Sequence, residues 1–96
     1  MGLPGQRSLT ARAASALGAK NIRVNTLVPG PIDTDFRHFM REDVRREFEA
    51  SVVSRLALTR QGTAVEAAEV ALFLLSDAAS YVSGSQYFVD GGLMLR

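Results

Sequence analysis

Apolar positions alternate with polar ones, or recur every three to four residues, in separate blocks along the chain, and each period predicts an element. Ile22 to Val28 (Ile-Arg-Val-Asn-Thr-Leu-Val) is β-branched or apolar at five of seven positions, which predicts a strand. Pro29-Gly30-Pro31 should then end its ladder, because proline has no N–H to donate. Ahead of it, Ser8 to Leu17 reads as a helix, with Leu9, Ala13 and Leu17 stacked and Gly18 placed to close it. The Pro4-Gly5 breaker pair should hold this helix back until after Gly5. Its many Ala and Ser suit a closely packed helix, although Ala is equally a plain helix former.

Beyond the loop, Asp33, Thr34 and Asp35 can each cap a helix whose apolar side is Phe36, Phe39 and Met40. A more strongly amphipathic helix follows from Glu42 to Arg55, with Val44, Phe48 and Val52 inward and Arg41, Arg45, Arg46, Glu47 and Glu49 outward. The arginine cluster reads as a solvated face. Thr63 and Glu66 form a capping box that opens a helix to Ser76. Ala67, Val70, Ala71 and Leu74 make one stripe of it, while Leu72, Phe73 and Leu75 point elsewhere. A helix apolar nearly all round should be buried nearly all round. A short strand, Ser85 to Asp90, is closed by Gly91-Gly92, and Leu93 to Leu95 trails as an apolar tail.

Strands separated by helices call for parallel pairing through right-handed crossovers. Two strands are too few to stand alone, so the pattern reads as one end of a larger doubly wound α/β sheet. The 96 residues make one domain at most, and a chain of this size buries only about 60 to 65% of the surface that its unfolded form exposes.

Composition narrows the chemistry. With 47% hydrophobic and 22% charged residues, the chain is ordinary globular material, and no apolar run reaches the length of a membrane span. The N-terminus shows no secretory pattern, so the chain reads as cytoplasmic. Absence of cysteine removes disulfides, thiolate metal sites and thiol catalysis, and the single histidine, His38, cannot form a metal cluster alone. A net charge of +1, with arginines scattered along the chain, gives little support to nucleic-acid binding.

Three blocks carry a family pattern: Asn21 to Thr34; Arg60-Gln-Gly-Thr63 with its helix to Asp77; and Ala78 to Gly84 leading into Phe88-Val-Asp-Gly-Gly92. Together with Arg7-Ser-Leu-Thr10, they resemble the C-terminal portion of the short-chain dehydrogenase/reductase family. The resemblance implies residues 1–96 as a single partial domain, the C-terminal part of a Rossmann-type doubly wound parallel sheet, with two parallel strands and flanking helices. It implies NAD or NADP as cofactor, and an alcohol or ketone as substrate. The loop of Pro29, Gly30, Pro31, Ile32 and Thr34 would lie beside the nicotinamide, with backbone groups of Ile32 bonding the carboxamide and the Thr34 hydroxyl reaching the carboxamide or the pyrophosphate. Without the resemblance, the same loop reads as a strand-terminating turn. The segment from Asp35 to Arg55 would cover the substrate. Thr63 to Arg96 would pack against a second subunit, making a homo-oligomer.

The family's remaining chemistry does not match. No Tyr is followed four residues later by Lys, since Tyr81 leads to Ser85 and Tyr87 to Gly91, and no glycine-rich phosphate motif is found. Aligned on Arg7 to Thr10, the family's Lys falls at Leu3 and its Tyr before Met1. Catalytic and metal residues are therefore expected to be none, Tyr81 and Tyr87 to be packing residues, and His38 an incidental surface residue. Binding of NAD(P) by the chain alone is expected to be weak or absent. The alternative reading is a non-catalytic truncated fragment or oligomerisation module.

Overall fold

The computed structural model describes residues 4–34 and 38–93, with side chains from Leu9 onward. The chain forms two compact units. One comprises the residues up to Val28 together with Ala68–Phe88, and the other comprises Pro29–Ala67 together with the residues from Val89 on.

In the first unit, helix α1 spans Pro4–Leu17. It begins at Pro4, ahead of the position expected from the Pro4-Gly5 pair, because a first-turn N–H has no helical partner and proline loses nothing there. The buried position is Thr10, not Leu9, which is 69% exposed. The Thr10 hydroxyl is hydrogen-bonded to that of Thr26, which turns the inward stripe onto Thr10, Ala13, Ala14 and Leu17. Gly18 does not close the helix either. A 3-10 turn continues through Gly18–Lys20, and Asn21 takes the left-handed conformation at φ 61° with its N–H donating to the Gly18 carbonyl. Asparagine tolerates that region better than most residues.

Strand β1 is Thr26–Pro29. Ile22 to Asn25, expected within it, fall outside the strand and are held mainly by side chains, with backbone bonds from Ile22 N–H to the Leu17 carbonyl and from Gly84 N–H to the Val24 carbonyl. The Arg23 guanidinium donates to the carbonyls of Leu74 (2.8 Å) and Ser76 (3.3 Å), and the Asn25 amide bridges the Val82 carbonyl and the Ser85 N–H. The last strand among the described residues, Gln86–Val89, is β1's partner, and because two strands intervene it is numbered β4. Gly84 N–H bonds the Val24 carbonyl and Thr26 N–H bonds the Ser85 carbonyl, so both chains advance in the same direction and the pair is parallel.

The second unit holds the other two strands, β2 (Ile32–Asp33) and β3 (Gly62–Thr63), which pair in parallel with Ile32 opposite Gly62. Helix α2 is Glu42–Val53, two residues shorter than expected. Of its predicted inward stripe Val52 is buried, whereas Val44 and Phe48 are more than 40% exposed. Its outer arginines are all paired, Arg41 with Asp43, Arg45 with Glu49 and Arg46 with Glu42; Arg41 and Arg46 are solvated as expected, whereas Arg45 and its partner Glu49 are half-buried. Hydrogen bonds from Arg41 hold the Asp43 carboxyl below its usual range. The expected cap at Asp35 and the apolar contact at Phe36 lie outside the described residues, as does the tail beyond Leu93. Phe39 of the same expected face is 93% exposed.

Helix α3, Ala64–Leu75, opens with the predicted capping box. The stripe of Ala67, Val70, Ala71 and Leu74 is its covered side. The expectation of burial all round fails: Val65, Leu72 and Leu75 are 64 to 81% exposed and Phe73 is 44% exposed. Too few elements are present to wrap a helix on every side. Tyr81, read as a packing residue, is 99% exposed, while Tyr87 is half-buried. Among the described residues, buried apolar side chains are confined to Leu74 and Ala79 in the first unit and to Val52 and Leu56 in the second.

With so small a core, each member counts. Leu56 is 3% exposed and packs where the chain passes Gly91. Leu56→Ala should cost about 3 kcal/mol, the middle of the range for leucine truncation. Urea denaturation followed by circular dichroism should show a large fall in midpoint or no cooperative transition.

Candidate functional site

The loop after β1 is fixed at both ends by backbone contacts. Gly30 N–H donates to the Val89 carbonyl at 2.9 Å, in step with Thr26 N–H on Ser85, so the even-numbered residues face β4 and the N–H that Pro29 lacks would fall on the other edge. Pro29 is thus the last residue of β1 rather than the residue that ends its pairing. A Cβ on Gly30 would lie 2.5 Å from the Asp90 Cβ and 2.7 Å from its Cα, closer than real atoms come. Glycine is therefore required here by the approach of one backbone to another.

Pro31 hands the chain to the next pairing. Its carbonyl accepts the Gly62 N–H at 3.1 Å, and the register sets Ile32 opposite Gly62 and Asp33 opposite Thr63. In a parallel ladder, a residue that bonds on both sides of its opposite number leaves that opposite residue's peptide groups facing the other way. Gly62 is such a residue, so the N–H and C=O of Ile32 point to the edge of β2 away from β3. β2 pairs with β3 alone in this two-stranded sheet. Thr34 follows directly and is exposed, with Asp33 exposed beside it. The structure therefore brings Pro29, Gly30, Pro31, Ile32 and Thr34 into one short, doubly anchored segment. It offers an outward pair of peptide groups and a hydroxyl two residues on, a donor and acceptor set suited to a planar amide.

Behind β3 stands a charged cluster. The Arg60 guanidinium donates to both oxygens of Glu66, at 2.8 and 2.7 Å. Glu66 Oε1 also accepts the Thr63 N–H at 2.9 Å, and the Thr63 hydroxyl accepts the Glu66 N–H at 3.1 Å. Hydrogen bonds from Arg60 first, and then from the Thr63 N–H, hold the Glu66 carboxyl down to about 2. Glu66 in turn raises the Arg60 guanidinium above its ordinary value. The capping box was legible in the sequence, but Arg60 was not, because a partner six residues before the acid and outside the helix follows no periodic rule. Asp90, the close neighbour of Gly30, was likewise invisible as a contact.

Elsewhere, a cavity of about 370 Å³ opens in the first unit between Leu27, Ala71, Leu74 and Leu75. Its one cation, Arg23, is already bonded to the end of α3. Among the described residues, no group of three or more His, Asp or Glu side chains could hold a metal, and no helix is long and apolar enough to cross a membrane. His38 is exposed.

The family described as Enoyl-(Acyl carrier protein) reductase matches residues 5–94, nearly the whole chain. The chain belongs to the short-chain dehydrogenase/reductase family. It is 38% identical to the 3-oxoacyl-[acyl-carrier-protein] reductase of Chlamydia trachomatis, an alignment that takes in 96% of this chain and 40% of that protein. A short-chain type dehydrogenase/reductase from Mycobacterium ulcerans superimposes with a TM-score of 0.81 at 40% identity, over 96% of this chain and 33% of its own. A putative 2-deoxy-d-gluconate 3-dehydrogenase from Agrobacterium tumefaciens with bound NADP gives a TM-score of 0.79 at 35% identity, over 94% of this chain and 36% of its own. The fold is thus the α/β, Rossmann-type arrangement of this short-chain dehydrogenase/reductase family, with parallel strands and flanking helices. The chain spans about two-fifths or less of the length of these relatives.

Gly30→Ala tests the anchoring of the loop. The added methyl must displace the Asp90 backbone, and overpacking of this kind costs about 2 kcal/mol. Thermal denaturation should show a lowered Tm, with Asp90 and Val89 amide signals shifted most in a two-dimensional NMR spectrum.

Proposed function

We propose that this chain supplies the nicotinamide-facing wall of an NAD(P)-dependent oxidoreductase that oxidises an alcohol or reduces a ketone, with the cytoplasm as its compartment. The observation that carries the reading is the outward-turned pair of peptide groups at Ile32, with the exposed Thr34 hydroxyl beside it. Peptide groups fixed by a ladder orient a carboxamide at small entropic cost, since nothing in them has to be ordered on binding. Pro29 and Pro31 stiffen the approach, and Gly30 lets it pass close to Asp90. Bound there, the cofactor would supply or accept the hydride, while these residues would hold and orient its ring. Support comes from the NADP-bound relative and from the reductase of Chlamydia trachomatis, both of which share this part of the fold. That the 96 residues form one part of a single doubly wound domain belongs to the same proposal.

Hydride transfer to a carbonyl also needs a positioned proton donor. This sequence holds no Tyr-x-x-x-Lys pair and no glycine-rich phosphate turn, so the chain by itself is proposed to bind the dinucleotide weakly or not at all and to turn nothing over. Isothermal titration of the purified chain with NAD(H) and NADP(H), alongside absorbance assays with simple alcohols and ketones, checks this. Measurable dehydrogenase activity from the chain alone would sink it.

Association is favoured by a separate observation. Val65, Leu72, Phe73 and Leu75 leave α3 with apolar surface in water, which a second copy packing through Thr63–Arg96 would remove. Static light scattering at micromolar concentration should report a mass above 10.4 kDa. A well-folded monomer would refute the homo-oligomer reading.

A further inference from the structure

The geometry points to Arg60 and Glu66 as positioning residues for the Ile32–Thr34 segment, acting through β3. The inference rests on the proposed nicotinamide role of that segment, but its physical content is independent of it. β2 has two residues, and β3, its partner in the sheet, has only two as well. A ladder this short holds few bonds, so its register must be fixed from outside.

The outside support is continuous from side chain to loop. Arg60 grips both carboxylate oxygens of Glu66 in a fork, which sets the rotation of the carboxylate as well as its position. Glu66 Oε1 then takes the Thr63 N–H, and the Thr63 hydroxyl takes the Glu66 N–H, so Thr63 is held at backbone and side chain together. Gly62, one peptide earlier, donates to Pro31. A Cβ on Gly62 would lie 3.1 Å from Ile32 Cδ1 and 3.8 Å from Glu66 Oε1, so the carboxylate and the Ile32 side chain converge on the same face of β3 at Gly62. A shift of the carboxylate is therefore passed to Thr63 and Gly62, and from them to the direction in which the Ile32 peptide groups point. Arg60 is exposed, and its guanidinium donates to Glu66 and to the Gln61 carbonyl rather than to β2. Its effect is indirect.

The test is amide hydrogen exchange by NMR on the full chain, comparing the parent with Arg60→Ala, Glu66→Gln and Arg60→Lys. In Arg60→Ala, exchange at Gly62 and Asp33 should quicken roughly fivefold, the scale of losing one well-formed exposed pair, while Thr26 and Gly84 in the other unit keep their rates. Arg60→Lys retains the charge and one donor, and should restore part of the protection. Glu66→Gln keeps an acceptor for Thr63 but loses the charge on the fork, and should resemble Arg60→Ala. Unchanged rates at Gly62 and Asp33 in both Arg60→Ala and Glu66→Gln would overturn the proposal. So would equal quickening across both units, which marks general destabilisation. Because Arg60→Lys alters only an exposed side chain, it keeps the test open if the other variants fail to fold: protection no different from the parent's would then overturn it. A separate arm follows the Ile32 and Thr34 amide shifts with millimolar NADP(H). A parent shift confined to residues away from Ile32 and Thr34 would count against the nicotinamide reading alone, whereas an Ile32 and Thr34 shift kept at full size in Arg60→Ala would count against positioning.

Discussion

Two backbones pass within contact distance at Gly30 and Asp90, and the geometry of the second unit follows from that approach. Were a side chain present at Gly30, the chain after Val89 would have to move away, and the bond from Gly30 N–H to Val89 would be lost with it. Gly92 repeats the arrangement two residues after Asp90: its φ is +85°, and a Cβ there would fall 2.4 Å from that of Ala57. The Asp90 carboxylate accepts the Gly92 N–H at 2.9 Å, and Leu58 N–H bonds the Gly91 carbonyl. Glycines thus let the end of β4 lie against two other stretches of main chain, and those stretches carry the loop and the buried Leu56.

The helices were legible where a period and a cap agreed. Thr63 and Glu66 announced the start of α3, and both reciprocal bonds are present. The loop was legible as a unit because prolines and glycine have few conformational options. Misreadings came where side chains displaced a rule. Arg23 and Asn25 hold Ile22 to Asn25 by bonds to distant carbonyls, so a stretch with strand composition forms no ladder. Thr10 outcompetes Leu9 for the inward face because its hydroxyl has a partner in Thr26. The strands β2 and β3 have no signature in the sequence, since two residues carry no period and only the pairing defines them.

Burial tells the other half. Hydrophobic residues make up 47% of the chain, yet among the described residues only a handful of these side chains are buried. Hydrophobic stabilisation scales with area removed from water. Surface left open on α3 and α2 is stabilisation not realised within this chain, which is why the exposed leucines and phenylalanines matter more than their number suggests.

Tyr81 gives this last point an optical form. The chain has two tyrosines and no tryptophan, and Tyr81 already stands almost wholly in water while Tyr87 is half-covered. Intrinsic emission therefore contains one ring that unfolding leaves nearly unchanged and one that it uncovers. With one ring at a time replaced by Phe, a change at Tyr87 reports on the strand, and a change at Tyr81 reports on the surface around it.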